Sequence, residues 1–136
     1  MRRAQWQRDL PALRAVREAV FVVEQHVPLE LERDEFDEVS LHALAETPAG
    51  EAIGTGRLLP DGHIGRMAVL REWRGSGVGS ALLRHLVQAA REAGLPGVML
   101  HAQSQALEFY RRHGFLPEGQ EFLEAGIPHQ VMRLKL

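Results

Sequence analysis

The sequence predicts an α/β fold of the mixed α+β kind: a central mixed sheet flanked by helices. Three observations predict it. Residues 40 to 70 read as three consecutive strands joined by tight turns, an antiparallel meander. Residues 65 to 102 run strand, glycine loop, helix, strand, a crossover that makes its two strands parallel. Leu13, Val16, Val20 and Phe21, and later Val78, Leu82, Leu86 and Ala89, recur at helical spacing and give two helices an apolar face.

The elements follow in order. Arg2 to Gln7 reads as a short first strand with Ala4 and Trp6 on one face. Asp9 is the expected N-cap of a helix over Leu10 to Phe21, with Pro11 in its first turn, where a missing N–H costs little. Pro28 ends any helix nearby. Glu30, Glu32, Asp34, Glu35, Asp37 and Glu38 then form an acidic segment around Phe36. It reads either as a solvated surface or as a negative wall that attracts a cationic amine. Strands follow over Ser40 to Glu46, Glu51 to Leu59 and His63 to Leu70, with Pro60-Asp61-Gly62 as a hairpin turn. Gly54 and Gly56 inside the second of these mark a bulge or a close approach by a ligand. The helix after the glycine loop runs to about Ala93 with Gly94 at its C-terminal cap. Val98 to Ala102 is the crossover's second strand. Ser104 caps a helix that carries Ala106, Phe109 and Tyr110 and stops at Gly114. A weak strand near Glu121 to Leu123 and an alternating one from His129 to Leu136 close the chain.

Composition excludes several classes of function. The 136 residues suit one domain with a real core, and 45% hydrophobic with 25% charged residues is a globular balance. A net charge of −2 offers no basic excess for nucleic acid. The absence of cysteine rules out disulfides, thiolate metal sites and a cysteine nucleophile. The seven histidines are scattered, none at the i, i+4 spacing of a zinc helix, so no metal is expected. No apolar run reaches the ~20 residues of a membrane span, and no signal peptide is legible, so a cytoplasmic location is expected.

The chemistry concentrates in Arg74-Gly75-Ser76-Gly77-Val78-Gly79-Ser80. Three glycines in five residues, opening a helix, let several amides converge on a ligand at the positive end of the helix dipole. That is a pyrophosphate cradle. The spacing is not the Gly-x-Gly-x-x-Gly of dinucleotide folds, and the next strand ends at Gln103 rather than at an acid. No lysine follows Gly79, so both nucleotide readings lose support.

Arg74 to Gly79 resembles the Gln/Arg-x-x-Gly-x-Gly/Ala motif of the GNAT superfamily of N-acetyltransferases. Phe109-Tyr110-Arg111-Arg112-His113-Gly114-Phe115 resembles the family's aromatic-Tyr-x-x-x-Gly-Phe segment. Phe21-Val22-Val23-Glu24-Gln25, Gly54-Thr55-Gly56-Arg57, Gly65-Arg66-Met67-Ala68-Val69, Ala102-Gln103 and Gly126-Ile127-Pro128-His129 are similar to the ElaA/YjcF-like subgroup, so the likeness spans the chain. One departure is Gln103, which stands where many GNAT enzymes have an asparagine that contacts the pantetheine arm.

The resemblance implies a GNAT domain over residues 1–136, with acetyl-CoA as cosubstrate, its pyrophosphate on Gly75 to Ser80 and its pantetheine arm on Met67, Ala68 and Val69. It implies that this strand splays from Val98 to Ala102, and that an amide near Val69 stabilises the oxyanion. Tyr110 is then the candidate general acid for the leaving thiolate, about 2 kcal/mol uphill for an ordinary tyrosine, with a core aromatic as the alternative. Glu24 is the first candidate for the base, ahead of His42 and His129; Glu24 has the alternative of pairing with Arg57. The acceptor is a small-molecule or peptide amine. Homodimers are common in the family. Two other classes stand beside the enzyme: a CoA-binding sensor without turnover, and a partner-binding module that docks through residues 30 to 38.

Overall fold

A computed structural model describes residues 1–136. The first four strands, β1 (Arg2–Ala4), β2 (Leu41–Glu46), β3 (Ala52–Leu58) and β4 (Ile64–Val69), form one antiparallel sheet in that spatial order. The last three, β5 (Gly97–Gln103), β6 (Leu116–Glu124) and β7 (Ile127–Lys135), form a second antiparallel sheet in the order β5-β7-β6.

The mixed central sheet is therefore corrected. β4 and β5 meet at one parallel bridge, His63 with Met99, where the Met99 N–H donates to the Gly62 carbonyl at 3.0 Å. β5 spends its full length on β7, from Gly97 opposite Lys135 to Gln103 opposite His129. On β4 the pairing with β3 shifts by one residue, so that Arg66 and Met67 together oppose Gly56. Such a bulge bends a strand. Past it, β4 is an edge strand.

The meander's turns and strands match the sequence reading, as do the glycine stops. Gly62 takes φ +99 in its hairpin, and Gly94 takes φ +75 with the Leu95 N–H returning to the Ala90 carbonyl. α3 (Val78–Glu92) packs Leu82, Leu83, Leu86, Val87 and Ala90, all buried, onto the sheet. Each such leucine is worth roughly 1.5–3 kcal/mol of transfer free energy. Gly54 and Gly56 serve this packing. A Cβ at Gly54 would come within 2.9 Å of Leu82 and Val78, and one at Gly56 within 2.8 Å of Leu86. Gly56 also lies opposite the two bulged residues of β4, so the bulge reading holds there.

Other expectations shift. α1 (Trp6–Arg17) begins at Trp6, so that side chain is not on the first strand but stacks on the His42 ring at 4.6 Å. Asp9 is not the N-cap; it reaches back from the first turn to accept the Gln5 N–H at 2.8 Å. The helix then widens into a π-helical stretch, Glu18–Glu24. A short α2 (Leu29–Glu32) and a 3-10 turn, Glu35–Val39, carry the acidic segment. Ser104 caps nothing: it opens a 3-10 turn before α4 (Leu107–Arg112), and its hydroxyl donates to Glu121 at 2.8 Å. β6 is nine residues long, much more than the weak strand expected, because β7 supplies its partner.

Candidate functional site

The glycine loop has the backbone that a diphosphate needs. Gly75 and Gly77 sit at φ +80 and φ +90, where side-chain-bearing residues are rare, and the space beside each is open. The Ser76 hydroxyl donates to the Trp73 carbonyl and closes the turn. Ala81 is the first α3 residue whose amide finds an acceptor, the Gly77 carbonyl at 3.0 Å. The amides of Gly75, Ser76, Gly77, Val78, Gly79 and Ser80 have none within the chain, and no side chain caps the helix. Six donors at a helix N-terminus without an intramolecular partner fit an anionic group.

The neighbouring strand end supplies a different surface. The Leu70 N–H donates to the Ile53 carbonyl of β3 at 3.0 Å. Backbone groups alternate along a strand, so those of Ala68 also face β3, opposite Thr55, while those of Met67 and Val69 face the open edge. Of the three residues expected to meet the pantetheine arm, Met67 and Val69 present amides outward and Ala68 does not. The Ala68 side chain is instead buried beside Val16 and Val20. The edge is partly claimed already, since Arg74 Nε donates to the Val69 carbonyl at 3.0 Å. The Val69 N–H stays available.

Arg74 does more than flank the glycines. Its guanidinium holds the Glu24 carboxylate in a two-point pair at 2.6 and 2.9 Å, tying the end of the π-helical stretch to the loop. Glu24 thus pairs with Arg74, not with Arg57. That bond holds the Glu24 carboxyl below the ordinary carboxylate range, which makes it a weaker base. The other base candidates lie elsewhere. His42 is buried, and its Nε2–H donates to the Asp37 carbonyl at 2.7 Å; burial pushes its pKa down. His129 is buried on Phe122, with Nδ1 donating to the Ile127 carbonyl at 2.6 Å and Nε2 at 3.6 Å from Glu124.

Tyr110 sits on α4 next to the cradle, to which Phe109 belongs as a wall: its ring is 3.5 Å from the position of a Gly79 Cβ. Tyr110 makes edge contacts with Phe109 and Phe115. Desolvation alone, with no charge or hydrogen bond contributing, pushes its phenol up to about 12. Gln103, at the end of β5, exchanges amide hydrogen bonds with Gln25 at 3.0 and 3.5 Å, so it links the second sheet to the end of the first helical stretch. Ser80 shares its hydroxyl with His113 Nε2 at 3.0 Å.

Half of the acidic segment is internal wiring. Glu32 and Asp37 are buried on Arg17, Asp37 and Asp34 bind Arg57 at 2.8 and 2.7 Å, and Asp34 also binds Arg66 at 3.0 Å. Glu30, Glu35 and Glu38 alone face solvent without such partners. The negative wall is half spent. Single-sequence reading missed Gln25, Arg66 and His113, because nothing local distinguishes a polar residue that points into a site from one that points away.

The profile of the family described as Acetyltransferase (GNAT) domain matches residues 9–136. The chain belongs to the GNAT acetyltransferase family. Among its relatives, the uncharacterized N-acetyltransferase YjcF of Bacillus subtilis is 42% identical over 86% of each chain. In structure, an acyl-CoA N-acyltransferase from Pseudomonas aeruginosa superposes with a TM-score of 0.83 at 35% identity, over 93% of this chain and 90% of that one. ElaA of Escherichia coli gives 0.81 at 32%, over 91% and 88%. The GNAT fold here is α+β with antiparallel sheets and flanking helices. GNAT proteins use acyl-CoA, which agrees with the donors at the head of α3. No helix of this GNAT chain is long and apolar enough to cross a membrane.

Proposed function

We propose that this GNAT protein transfers the acetyl group of acetyl-CoA to an amine by direct attack. One observation carries the reading: the six unpartnered amides from Gly75 to Ser80 stand beside an edge of β4 whose Val69 N–H is also free. Gly75, Ser76, Gly77, Val78, Gly79 and Ser80 hold the pyrophosphate, and Met67 and Val69 pair with the pantetheine arm in the gap that opens between β4 and β5 past the His63–Met99 bridge. Acetyl-CoA supplies an activated thioester. The chain supplies position, a donor for the acyl oxygen, and a proton.

The Val69 N–H is the donor, fixed by its strand and so aligned before any charge develops. Tyr110 is the general acid. Its raised pKa keeps the phenol protonated at neutral pH, so the proton is present, while release from it is harder than from an ordinary tyrosine. Release therefore has to accompany departure of the sulfur. Glu24 keeps a place at the site through Arg74: it shapes the loop and, of the base candidates, stands nearest to it. Gln103 orients the arm together with Gln25. The acceptor is a small-molecule or peptide amine, and the protein works without nucleic acid or membrane.

Titration calorimetry with coenzyme A and acetyl transfer against a broad amine library test the reading. Micromolar coenzyme A binding with transfer to at least one amine is expected. Tyr110→Phe should keep coenzyme A affinity within about twofold and lower kcat by about 10²-fold. Binding without transfer to any amine would favour a sensor. Failure to bind, with a partner held through residues 30 to 38, would favour a docking module.

A further inference from the structure

β4 contains a residue in an uncommon state. Arg66 has φ +48, a left-handed backbone that arginine rarely adopts, in the middle of a strand. It is the first of the two residues that oppose Gly56 in the bulge, the place where a glycine is usual. Here the side chain is kept, and its Nε and Nη2 are both engaged. Nε donates to the Glu32 carbonyl at 3.0 Å, and Nη2 donates to the Leu31 carbonyl at 3.2 Å and to the Asp34 carboxylate at 3.0 Å. Two of those anchors are tied in turn. The Glu32 side chain is buried on Arg17, and Asp34 binds Arg57 through both oxygens at 2.7 and 2.8 Å. The strained backbone thus hangs from a guanidinium tied to two backbone carbonyls of the acidic segment and to Asp34, a carboxylate of the ionic network.

The consequence lies one to three residues along the chain. A bulge rotates the strand that follows it, and the groups rotated here are the edge-facing amides of Met67 and Val69. We infer that Arg66 is a positioning residue: its grip on Leu31, Glu32 and Asp34 sets the twist of β4 at which Met67 and Val69 meet the pantetheine arm. The inference rests on the proposed acetyl-CoA site. It separates the site into two halves, a cradle that Arg66 does not touch and a strand edge that it orients.

Two probes distinguish the halves. 3′-Phosphoadenosine 5′-diphosphate carries the nucleotide end with the diphosphate that the cradle takes and needs no strand edge, whereas coenzyme A carries the arm as well. Calorimetry with both is to be run on the parent protein and on Arg66→Gly, Arg66→Ala and Arg66→Lys, with thermal melts alongside. Glycine tolerates the left-handed backbone, so Arg66→Gly keeps the bulge and removes only the grip. The expected result is coenzyme A affinity lowered at least tenfold in Arg66→Gly, more in Arg66→Ala, and less in Arg66→Lys, with 3′-phosphoadenosine 5′-diphosphate affinity within twofold throughout. Should Arg66→Ala fail to fold, the glycine and lysine variants decide. Equal loss for both probes would make Arg66 a structural residue and overturn the inference, and so would unchanged coenzyme A affinity in Arg66→Gly. A parent protein that binds neither probe would instead sink the acetyl-CoA reading itself.

Discussion

Tyr110 shows how a single residue's environment changes its chemistry. Desolvation raises its phenol to about 12, so the group that must be protonated to act as an acid stays protonated far into the alkaline range. The kcat profile of the transferase should therefore show no falling limb from this residue below the ordinary tyrosine value of about 10. A stopped assay from pH 6 to 10 checks this. A decline centred near 8 that Tyr110→Phe abolishes would mean that the phenol is far more acidic than its surroundings allow. Glu24 is the opposite case. Its Arg74 partner holds the carboxylate ionised well into the acid range, so loss of the loop's tie to the π-helical stretch should require lower pH than a free glutamate would. The Glu24 role depends on a neighbour fifty residues away, which is why reading the residues in line placed Glu24 near the site but offered Arg57 as its alternative partner.

At the level of elements, the glycines divide into two functions that look alike in sequence. Those of β3 accommodate α3, and those of the loop expose amides. The two kinds of substitution should separate experimentally. Gly56→Val places branched carbons where even a Cβ would be 2.8 Å from buried Leu86, and should cost about 1–3 kcal/mol of stability by overpacking. Gly77→Val has open space but a forbidden φ of +90, so it should distort the cradle. Its expected mark is a loss of coenzyme A affinity of tenfold or more with a smaller fall in Tm, read by calorimetry and thermal melts. If Gly56→Val weakened coenzyme A while leaving Tm unchanged, the division would be wrong. The loop's glycines were legible as a cradle because three of them open a helix. Those of β3 were not, because a strand glycine has the same appearance whether a helix or a ligand lies over it.

Across the whole molecule, the buried ionic network joins α1, the acidic segment and both β3 and β4 through Arg17, Asp37, Arg57, Asp34 and Arg66. Burial opposes ionisation of Asp37, but Arg17 and Arg57 together more than offset it, and its pKa falls below the usual range; Arg57 does the same for Asp34. A carboxylate whose folded pKa is depressed contributes stability above its unfolded value of about 3.9, and that stability is lost as pH falls through the lower folded value. Tm should therefore hold from neutral pH to about pH 4 and then drop. Asp37→Asn leaves two buried arginines short of a charge, and should cost about 3–5 kcal/mol at pH 7 while flattening the acid drop. Melts of the two proteins between pH 3 and 7 decide it. Equal acid sensitivity would assign the transition to other carboxylates.

What the sequence determined unaided was whatever lies in local pattern: the meander, the glycine stops, α3, and a glycine loop that matches the family motif and opens a helix. Periodicity and turn chemistry act over a few residues, so they are written where they act. The tertiary structure alone decided the split into two antiparallel sheets, since one inserted residue at Arg66 bends β4 and β7 captures β5. It also decided that half of the acidic segment's carboxylates are spent inside, because Arg17, Arg57 and Arg66 come to them from α1, β3 and β4. Pairing energy between charges depends on distance in space, and no spacing along the chain encodes that.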